Sequence, residues 1–338
     1  MFTVPNTTVQ AEGNKALIIG ANGQDGSYLS ELLISRGISV IPISRHSFKG
    51  FECELDLRHM HAPDMTQISQ LLDVPFFRRI CELVQHEKPQ FIYHLAAHHS
   101  PSSRKLSSNR DESLMWLTHV GITGAVLETI RRYCLDSKLI VAGSSLMYSA
   151  SAEDIFIDES TTEVPRNYYG ETKLLARELI HSYSREHGTN AQMAILFNHE
   201  SPRRPPGYLS SDIAIQIIDV IKDRSKLIEV RDPNVRVDIS DARDIVVALG
   251  DMAESNTGDL VLGSGNVTLI KELIQDSLRL LGIDDIEIRG TDKHISLFKE
   301  NDNRAGVFAN IKKANEVLGW FPIRDIAETV AEIVKLKT

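Results

Sequence analysis

A tyrosine and a lysine lie four positions apart in the segment 167–173, NYYGETK. Residues i and i+4 of an α-helix share a face, so the Tyr169 hydroxyl and the Lys173 ammonium are predicted to face one cleft. A phenol with an unperturbed pKa of ~10 is a poor acid–base catalyst at neutral pH, but a nearby cation favours phenolate and lowers that pKa. The pair therefore predicts a tyrosine that shuttles protons.

A serine hydroxyl is predicted close to this pair. The apolar run 138–142, KLIVA, ends in Gly-Ser144-Ser, which places Ser144 at the carboxyl edge of a parallel strand, where ligands of open α/β sheets bind. Because the spacing Y-x-x-x-K also occurs by chance in many helices, the interpretation depends on the motifs around it.

The elements that must position these groups begin with a glycine-rich turn. The β-rich run 15–20, KALIIG, leads into G-x-x-G-x-x-G at 20–26, and an amphipathic stretch follows at 27–36. Glycines permit a tight turn and a close approach of backbone amides to a pyrophosphate at a helix N-terminus. The residues predicted to bind a dinucleotide cofactor here are Gly20, Gly23, Gln24, Asp25 and Gly26.

The second strand, 38–43, ends in Arg45 and not in a carboxylate. An acidic residue there would bind the ribose 2′-hydroxyl of NAD, whereas arginine accommodates the 2′-phosphate of NADP. NADP is therefore favoured, with NAD as the alternative if Arg45 is an ordinary solvated residue. Asp56 and Leu57 follow a short strand-like segment and are predicted to meet the adenine.

The run 91–97, FIYHLAA, is typical of a buried strand whose end, Leu95 to Ala97, lines the cofactor. His98 and His99 follow on the loop above the sheet edge. Adjacent side chains of an extended segment point in opposite directions, so at most one of these histidines faces the site. A histidine there is predicted to contact substrate or to act as a secondary acid.

The strand predicted at 192–197 is followed by Asn-His-Glu-Ser-Pro-Arg-Arg at 198–204. Neutral donors and paired guanidinium groups at a strand end suit a diphosphate-bearing ligand. Helical patterns cover about 114–134 and 172–187. The second carries leucines on several sides, which predicts that it packs on another subunit as a homodimer or homotetramer.

The composition is that of a soluble globular protein: 338 residues, 42% hydrophobic, 25% charged and a net charge of −9. The dispersed negative charge gives no support to nucleic-acid binding. No apolar run is long enough to span a membrane, and the first residues are not typical of a secretory signal. Three scattered cysteines favour neither disulfides nor a metal site. These features predict a cytoplasmic protein.

With these motifs in view, the chain from about residue 15 onward resembles the extended short-chain dehydrogenase/reductases that act on nucleotide sugars, and within them the GDP-mannose 4,6-dehydratase group. The segments that carry the resemblance are 20–29, GANGQDGSYL, 196–204, LFNHESPRR, and 317–322, VLGWFP. The resemblance implies an α/β fold with a Rossmann-type doubly wound parallel sheet and a smaller C-terminal α/β substrate-binding region. Residues 1–14 are then a lead-in, 15–198 the NAD(P)-binding domain, and 199–338 mainly the substrate region, with some segments returning to the sheet.

The resemblance also assigns roles to single residues. Ser144, Tyr169 and Lys173 are implied to be catalytic. Cofactor contacts are implied for Gly20, Gly23, Gly26, Arg45, Asp56, Leu57 and Arg204, and substrate contacts are expected at His98, Asn198, Glu200, Arg243 and Arg304.

Four departures from the family pattern bear on the reaction. Leu146 stands where the dehydratases have the glutamate that removes the C5 proton, and leucine cannot take a proton. The run 304–307, RAGV, lacks a carboxylate that the family places at the nucleotide ribose. The run 238–244, DISDARD, resembles the corresponding segment of the GDP-4-keto-6-deoxymannose reductases. His119 occupies a position where an asparagine is common.

The expected function is therefore hydride transfer at C4 of a GDP-linked hexose, with the dehydration step in doubt unless His98, His99 or Glu171 replaces the missing base. The alternatives are a GDP-4-keto-sugar reductase or epimerase, and a non-catalytic sensor that keeps only the cofactor fold.

Overall fold

The computed structural model describes residues 14–44, 72, 75–98, 109–133, 136–150, 153–222, 226–291 and 306–338. Six of its strands form the central sheet: β1 (Lys15–Ile19), β2 (Ser39–Ile43), β3 (Phe91–His94), β4 (Lys138–Ala142), β6 (Ala191–Leu196) and β11 (Leu260–Leu262). The shorter strands pair outside it: β5 (Ile155–Ile157), β7 (Asn198–Glu200), β8 (Leu227–Val230), β9 (Arg236–Val237), β10 (Ile239–Asp241), β12 (Thr268–Leu269), β13 (Glu287–Gly290) and β14 (Val307–Ala309).

The helices connect these strands. In chain order they are α1 (Gln24–Ser35), α2 (Pro75–Glu87), α3 (Asn109–Trp116), a π-helical turn (Leu117–Gly121), α4 (Ile122–Tyr133), a 3₁₀ turn (Ser145–Met147), α5 (Tyr168–His187), α6 (Leu209–Ile221), α7 (Ala242–Glu254), α8 (Ile270–Leu280), α9 (Lys312–Leu318) and α10 (Ile326–Lys337). None of these described helices combines the length and the apolar character required to cross a membrane.

The central sheet has the strand order β11-β6-β4-β3-β1-β2, and every pair in it is parallel. From β1 the chain passes first to β2 on one side and then to β3 on the other. The strand order thus reverses at β1, and ligands of such sheets bind in the crevice at the carboxyl ends of the strands where this reversal occurs. The topology confirms the predicted Rossmann-type doubly wound sheet.

Side chains alternate between the two faces of the sheet, as the period of a strand requires. Leu17 and Ile19 pack into a core with α2, α4 and α5, whereas Ala16 and Ile18 pack on the opposite face against α1 and α7. All four are at most 3% exposed. Because both faces are buried, the strands contain near-continuous apolar runs and little polar alternation.

A third apolar core belongs to the C-terminal part. It is built by α6, α8 and α10 around side chains such as Ile217, Leu273 and Val330. Two segments of this part nevertheless join the sheet region, since β11 pairs with β6 and α7 packs against α1. The domain boundary at residue 198 stays a prediction.

Several predicted boundaries shift for local reasons. The strand predicted at 91–97 ends at His94, and the chain beyond it passes over Gly20. The charged run 238–244 forms β10 and the first turn of α7, where the Asp241 side chain accepts a hydrogen bond from the Arg243 amide. The π-helical turn inside the helical stretch 109–133 had no counterpart in the sequence pattern.

Candidate active site

The turn after β1 depends on glycine at two positions. Gly20 has a φ of +100°, and a Cβ on it would lie 2.7 Å from the Ala96 nitrogen. A Cβ on Gly26 would lie 2.3 Å from the Gly20 carbonyl oxygen. Side chains there would separate β1, α1 and the end of β3. The exposed Asn22 and Gly23 lie at the N-terminus of α1, where backbone amides have no intrahelical acceptor.

Gln24 and Asp25 are bound to the segment after β6. The Gln24 amide donates to the His199 carbonyl at 3.2 Å, and its oxygen accepts from the Ser201 hydroxyl at 2.8 Å. Asp25 Oδ2 lies 3.0 Å from His199 Nε2. We call these four residues the α1–β7 junction. It ties the glycine-rich turn to the strand end that was predicted to bind substrate.

His199 in this junction carries a proton on each ring nitrogen, because both nitrogens face acceptors. Nδ1 lies 2.6 Å from the Phe197 carbonyl oxygen and Nε2 faces Asp25. Burial alone would lower the pKa of His199, but the Asp25 charge and hydrogen bond raise it. Likewise burial opposes the ionisation of Asp25, but His199 brings the pKa of Asp25 below its ordinary value. The junction thus contains a buried ion pair.

Helix α5 carries the predicted catalytic pair at its first turns. The Asn167 side chain caps this helix by accepting a hydrogen bond from the Gly170 amide at 3.0 Å. Lys173 Nζ donates to the Ala142 carbonyl oxygen at 2.7 Å, which anchors it to the end of β4. The same nitrogen lies 5.7 Å from the centroid of the Tyr169 ring. The structure thus brings Tyr169 and Lys173 together at the carboxyl edge of the sheet.

The ionisation of this pair differs from the prediction. Burial raises the pKa of Tyr169 above its ordinary value, Tyr208 and Asp25 add to the shift, and the Arg204 guanidinium only partly opposes it. Burial also lowers the pKa of Lys173 to about 7. These directions do not support the expected phenolate, because burial opposes the charged form of both groups and the Lys173 amine donates to a carbonyl oxygen.

Ser144 follows β4 and caps the 3₁₀ turn that contains Leu146, next to the start of α5. The Ser144 hydroxyl oxygen accepts from the Leu146 amide at 3.1 Å and remains partly exposed. A Cβ on Gly170 would lie 2.0 Å from the Leu146 carbonyl oxygen, so only glycine permits this contact between the turn and the helix. Leu146 is also partly exposed, and its side chain is apolar.

His119, in the π-helical turn, links two segments of the site. Its Nε2 accepts from the His98 amide at 3.2 Å, and its Nδ1 lies 2.8 Å from Thr172 Oγ1, which donates to the Tyr169 carbonyl at 2.9 Å. Its ring meets the Tyr169 ring edge-on at 4.9 Å. The acceptor role of Nε2 places the proton on Nδ1. Sequence reasoning noted only the unusual residue type, although π turns are frequent at functional sites.

Two of the proposed substitute bases differ in their placement. His98 is partly exposed, and its Nε2 lies 3.1 Å from Asp111 Oδ1. Glu171 is exposed on α5, where burial and the charges of Glu112 and Glu171 raise the pKa of Tyr168. The structure thus favours His98 over Glu171. Asp111, which sequence reasoning missed, lies on α3, too far along the chain for a local motif to reveal it.

The remaining residues that were predicted to contact a ligand include exposed or partly exposed residues and a side chain that has partners within the protein. Ala97 and Asn198 are exposed, and Leu95 and Ala96 are partly exposed. Arg204 stacks on the Tyr208 ring at 3.9 Å and lies 3.4 Å from Glu200. The predicted sites Arg45, Asp56, Leu57, His99 and Arg304 lie outside the described residues.

Glu200 and Arg243 are corrected by their partners. Glu200 is 4% exposed and accepts from Ser210. Arg243 pairs with Asp241 at 2.7 Å and with Glu332 at 2.8 Å. Both side chains are engaged within the protein, and the predicted substrate contacts have no support in this arrangement.

Comparison with known proteins places this geometry in a family. Residues 17–333 match the sequence model of GDP-mannose 4,6 dehydratase. The chain is 26% identical to GDP-mannose 4,6-dehydratase of Sinorhizobium fredii over 344 residues, with 95% of each chain covered. It is 26% identical to the Homo sapiens GDP-mannose 4,6 dehydratase over 351 residues, covering 95% of this chain and 90% of the relative.

Solved structures show the same fold at lower identity. RMD from Pseudomonas aeruginosa, complexed with NADPH, superposes with a TM-score of 0.70 at 20% identity, covering 95% of this chain and 98% of that one. UDP-glucose 4-epimerase from Brucella ovis, in complex with NAD, gives a TM-score of 0.72 at 20% identity, covering 96% and 98%. Since the family match spans nearly the whole chain, and the glycine-rich turn, Tyr169 and Lys173 meet at one sheet edge, the protein belongs to the GDP-mannose 4,6-dehydratase family.

Proposed function

We propose that this protein is an enzyme that transfers hydride between C4 of a GDP-linked hexose and a nicotinamide dinucleotide, with NADP as the cofactor. The observation that carries the proposal is the placement of Tyr169 beside Lys173, with Lys173 fixed to the Ala142 carbonyl at the carboxyl end of a central strand. The match of the chain to the GDP-mannose 4,6 dehydratase family supports a nucleotide sugar as the substrate.

The residues at the turn after β1 fit a dinucleotide. A Cβ on Gly20 or Gly26 would collide with backbone atoms, so the turn keeps a bare backbone next to the amides that begin α1. Such amides bind phosphate groups, and Gly20, Gly23 and Ala96 are the residues that would hold the cofactor there. When bound, a nicotinamide ring supplies the hydride acceptor or donor.

Side chains of the protein donate the proton to the C4 oxygen of the sugar and remove it. A protonated Tyr169 is the form that donates to the C4 oxygen when a 4-keto sugar is reduced. In the oxidative direction Tyr169 must first lose that proton; burial raises the pKa of Tyr169, and the Arg204 guanidinium partly offsets this rise. The proposal assigns to Ser144 a hydrogen bond to the same oxygen, as the family resemblance implies.

Leu146 sets the limit of this chemistry. General base catalysis contributes ~10² to 10⁴-fold to the reaction rate, and the Leu146 side chain on the 3₁₀ turn cannot accept a proton. C4 redox requires only Ser144, Tyr169 and Lys173, whereas loss of water requires another base. The protein is therefore proposed to be redox-active at C4 whether or not it completes the dehydration.

The test uses two reactions followed by nicotinamide absorbance and by product mass. GDP-mannose with NADP⁺ examines oxidation, and GDP-4-keto-6-deoxymannose with NADPH examines reduction. The proposal expects turnover in at least one of them, seen as a change in absorbance when the redox change is net, or as a new sugar product when the hydride is returned to the sugar. A product lighter by one water identifies a dehydratase, and an unchanged mass identifies an epimerase. Tight NADP binding without turnover of either sugar contradicts the proposal and identifies a sensor.

The finer expectations belong to the same proposal. Arg45 favours NADP over NAD through the charge of its guanidinium. The partly exposed Leu174 and Leu175 on α5 support a homodimer or homotetramer in which this helix meets a second copy. We propose a cytoplasmic protein on its composition and cysteine usage.

A further inference from the structure

A histidine and a carboxylate form a second pair at the mouth of the site. His98 Nε2 lies 3.1 Å from Asp111 Oδ1, and the two side chains are 27% and 30% exposed. A carboxylate only accepts hydrogen bonds, so the proton between them belongs to Nε2. In the neutral imidazole the lone pair then resides on Nδ1, to which the described residues offer no hydrogen bond.

This pair is held close to Tyr169 by the backbone. The His98 amide donates to His119 Nε2 at 3.2 Å, and the His119 ring contacts the Tyr169 ring at 4.9 Å. Two residues earlier, the backbone of Ala96 packs on Gly20 of the glycine-rich turn. His98 is thus fixed between the proposed cofactor turn and the proposed proton donor, and its side chain reaches solvent.

A histidine oriented by a carboxylate is the arrangement that makes imidazole an effective general base. The aspartate holds the tautomer and stabilises the imidazolium that forms after proton transfer. Because Leu146 stands where the family has a glutamate, the site has no carboxylate base at that position. A base is needed only if the enzyme acts on the carbon next to the C4 carbonyl.

We propose that His98 and Asp111 form an acid–base dyad that removes and returns the C5 proton of a 4-keto nucleotide sugar. The proposal rests on the proposed C4 chemistry, which supplies the ketone. The C5–H bond breaks, an N–H bond forms at His98 Nδ1, and the electron pair of C5 enters the enolate of the C4 carbonyl. The enolate then takes a proton back at C5 from His98, which exchanges that proton with solvent through the imidazole, and no oxidant is involved.

The dyad is tested by proton exchange on GDP-4-keto-6-deoxymannose in D₂O. Deuterium at C5 is measured by NMR, which separates it from exchange at C3, and a sample without enzyme gives the background. Because this probe already contains the ketone, exchange does not depend on hydride transfer. Reduction of the same sugar by NADPH is measured separately and tests the proposed function by itself.

The wild-type protein is expected to exchange C5 above background. His98→Gln should lower the exchange rate by ~10²-fold or more, and by a larger factor than it lowers the rate of reduction. Asp111→Asn should lower exchange by a smaller factor. The control is His181→Gln, which breaks another histidine–aspartate pair, His181 with Asp259 at 2.8 Å, on the exposed side of α5. This control should leave exchange unchanged.

Two results overturn the dyad. One is the absence of C5 exchange by the wild-type protein, and the other is an exchange rate in His98→Gln equal to that of the wild type. Reduction that proceeds without exchange removes the dyad and leaves the proposed function intact. Exchange without any reduction or oxidation supports the dyad and contradicts hydride transfer.

Discussion

The α1–β7 junction and the residues around Tyr169 lie at the same edge of the sheet, but they use their polar groups in opposite ways. At the junction Gln24, Asp25 and His199 bind one another or nearby backbone. Around Tyr169, the side chains of His98 and Ser144 remain partly exposed. We call Tyr169, Lys173, Ser144, His98 and His119 the tyrosine site. The junction holds the elements together, whereas the tyrosine site keeps partly exposed polar side chains beside the buried Lys173 and His119.

The difference teaches how a family motif should be interpreted. Both regions contain residues that the sequence assigned to ligands. Side chains that satisfy each other inside the protein contribute to stability and position the backbone, whereas side chains with remaining hydrogen-bonding capacity can act on a substrate. Substitutions in the two regions should therefore separate turnover from stability.

The largest effect is expected for Tyr169→Phe at the tyrosine site. Removing the hydroxyl should lower kcat for C4 redox by ~10² to 10⁴-fold, because the C4 oxygen loses its proton donor and acceptor. The free energy of unfolding and the NADP dissociation constant should change little. The control is Tyr168→Phe, since Tyr168 is the neighbouring tyrosine, whose charge environment is set by Glu112 and Glu171. Full activity in Tyr169→Phe would remove the hydroxyl from the mechanism.

Leu146→Glu sharpens the assignment of the tyrosine site. A carboxylate on the partly exposed 3₁₀ turn should restore the family's base and increase the rate of water loss from GDP-mannose by ~10²-fold. Product mass measures the effect. Leu146→Gln, of nearly equal size but unable to take a proton, should give no increase. An equal gain in both variants would show that polarity and not proton transfer is responsible.

His199→Gln tests the α1–β7 junction, where the comparison predicts a loss of stability. Loss of one partner of the buried ion pair should lower the free energy of unfolding by roughly 3 kcal/mol, measured by urea denaturation. The native pKa of His199 is raised, so its contribution is complete below the unfolded value of 6.5 and is lost as pH rises through the native pKa. The native pKa of Asp25 is lowered, so its contribution is present above 3.8 and is lost as pH falls through the native pKa.

The destabilisation caused by His199→Gln should therefore be greater near pH ~5.5 than near pH ~9. A loss of unfolding free energy that is the same at both pH values would mean that His199 is neutral in the folded protein. If the variant lost turnover and kept its stability, the division between the two regions would be wrong.

The smallest effect is expected for Gln24→Leu, also at the junction. It leaves the His199 carbonyl and the Ser201 hydroxyl without their partner, which costs about 1 to 3 kcal/mol of unfolding free energy. Gln216→Leu is the control, because the Gln216 amide also donates and accepts hydrogen bonds, both with the Glu229 backbone at an exposed position. Water can replace those bonds, so the control should lose less. Equal losses would contradict the role of burial.

The sequence predicted what depends on local spacing. The G-x-x-G-x-x-G turn, the strands on either side of Ser144 and the helix that carries Tyr169 and Lys173 all followed from periodicity and glycine placement. The family resemblance supplied the roles of single residues and the significance of Leu146.

What depends on contacts between distant segments was not predictable. The His98–Asp111 pair and the link from His119 to Thr172 join elements separated along the chain. The pKa of Tyr169 was misjudged because helical spacing brings a cation near, but burial and the position of the Lys173 amine decide the ionisation. The charged side chain of Arg243 was similarly assigned to a ligand although Asp241 and Glu332 occupy it.

The proposed transfer at C4 can be measured directly with GDP-mannose that carries deuterium at C4. The sugar is incubated with the protein and NADP⁺, and the nicotinamide is recovered and examined by mass spectrometry. We predict that reduced nicotinamide trapped by quenching during turnover contains the deuterium and that Tyr169→Phe does not form it. Bound nicotinamide that stays unlabelled, together with an unchanged sugar, would contradict hydride transfer at C4.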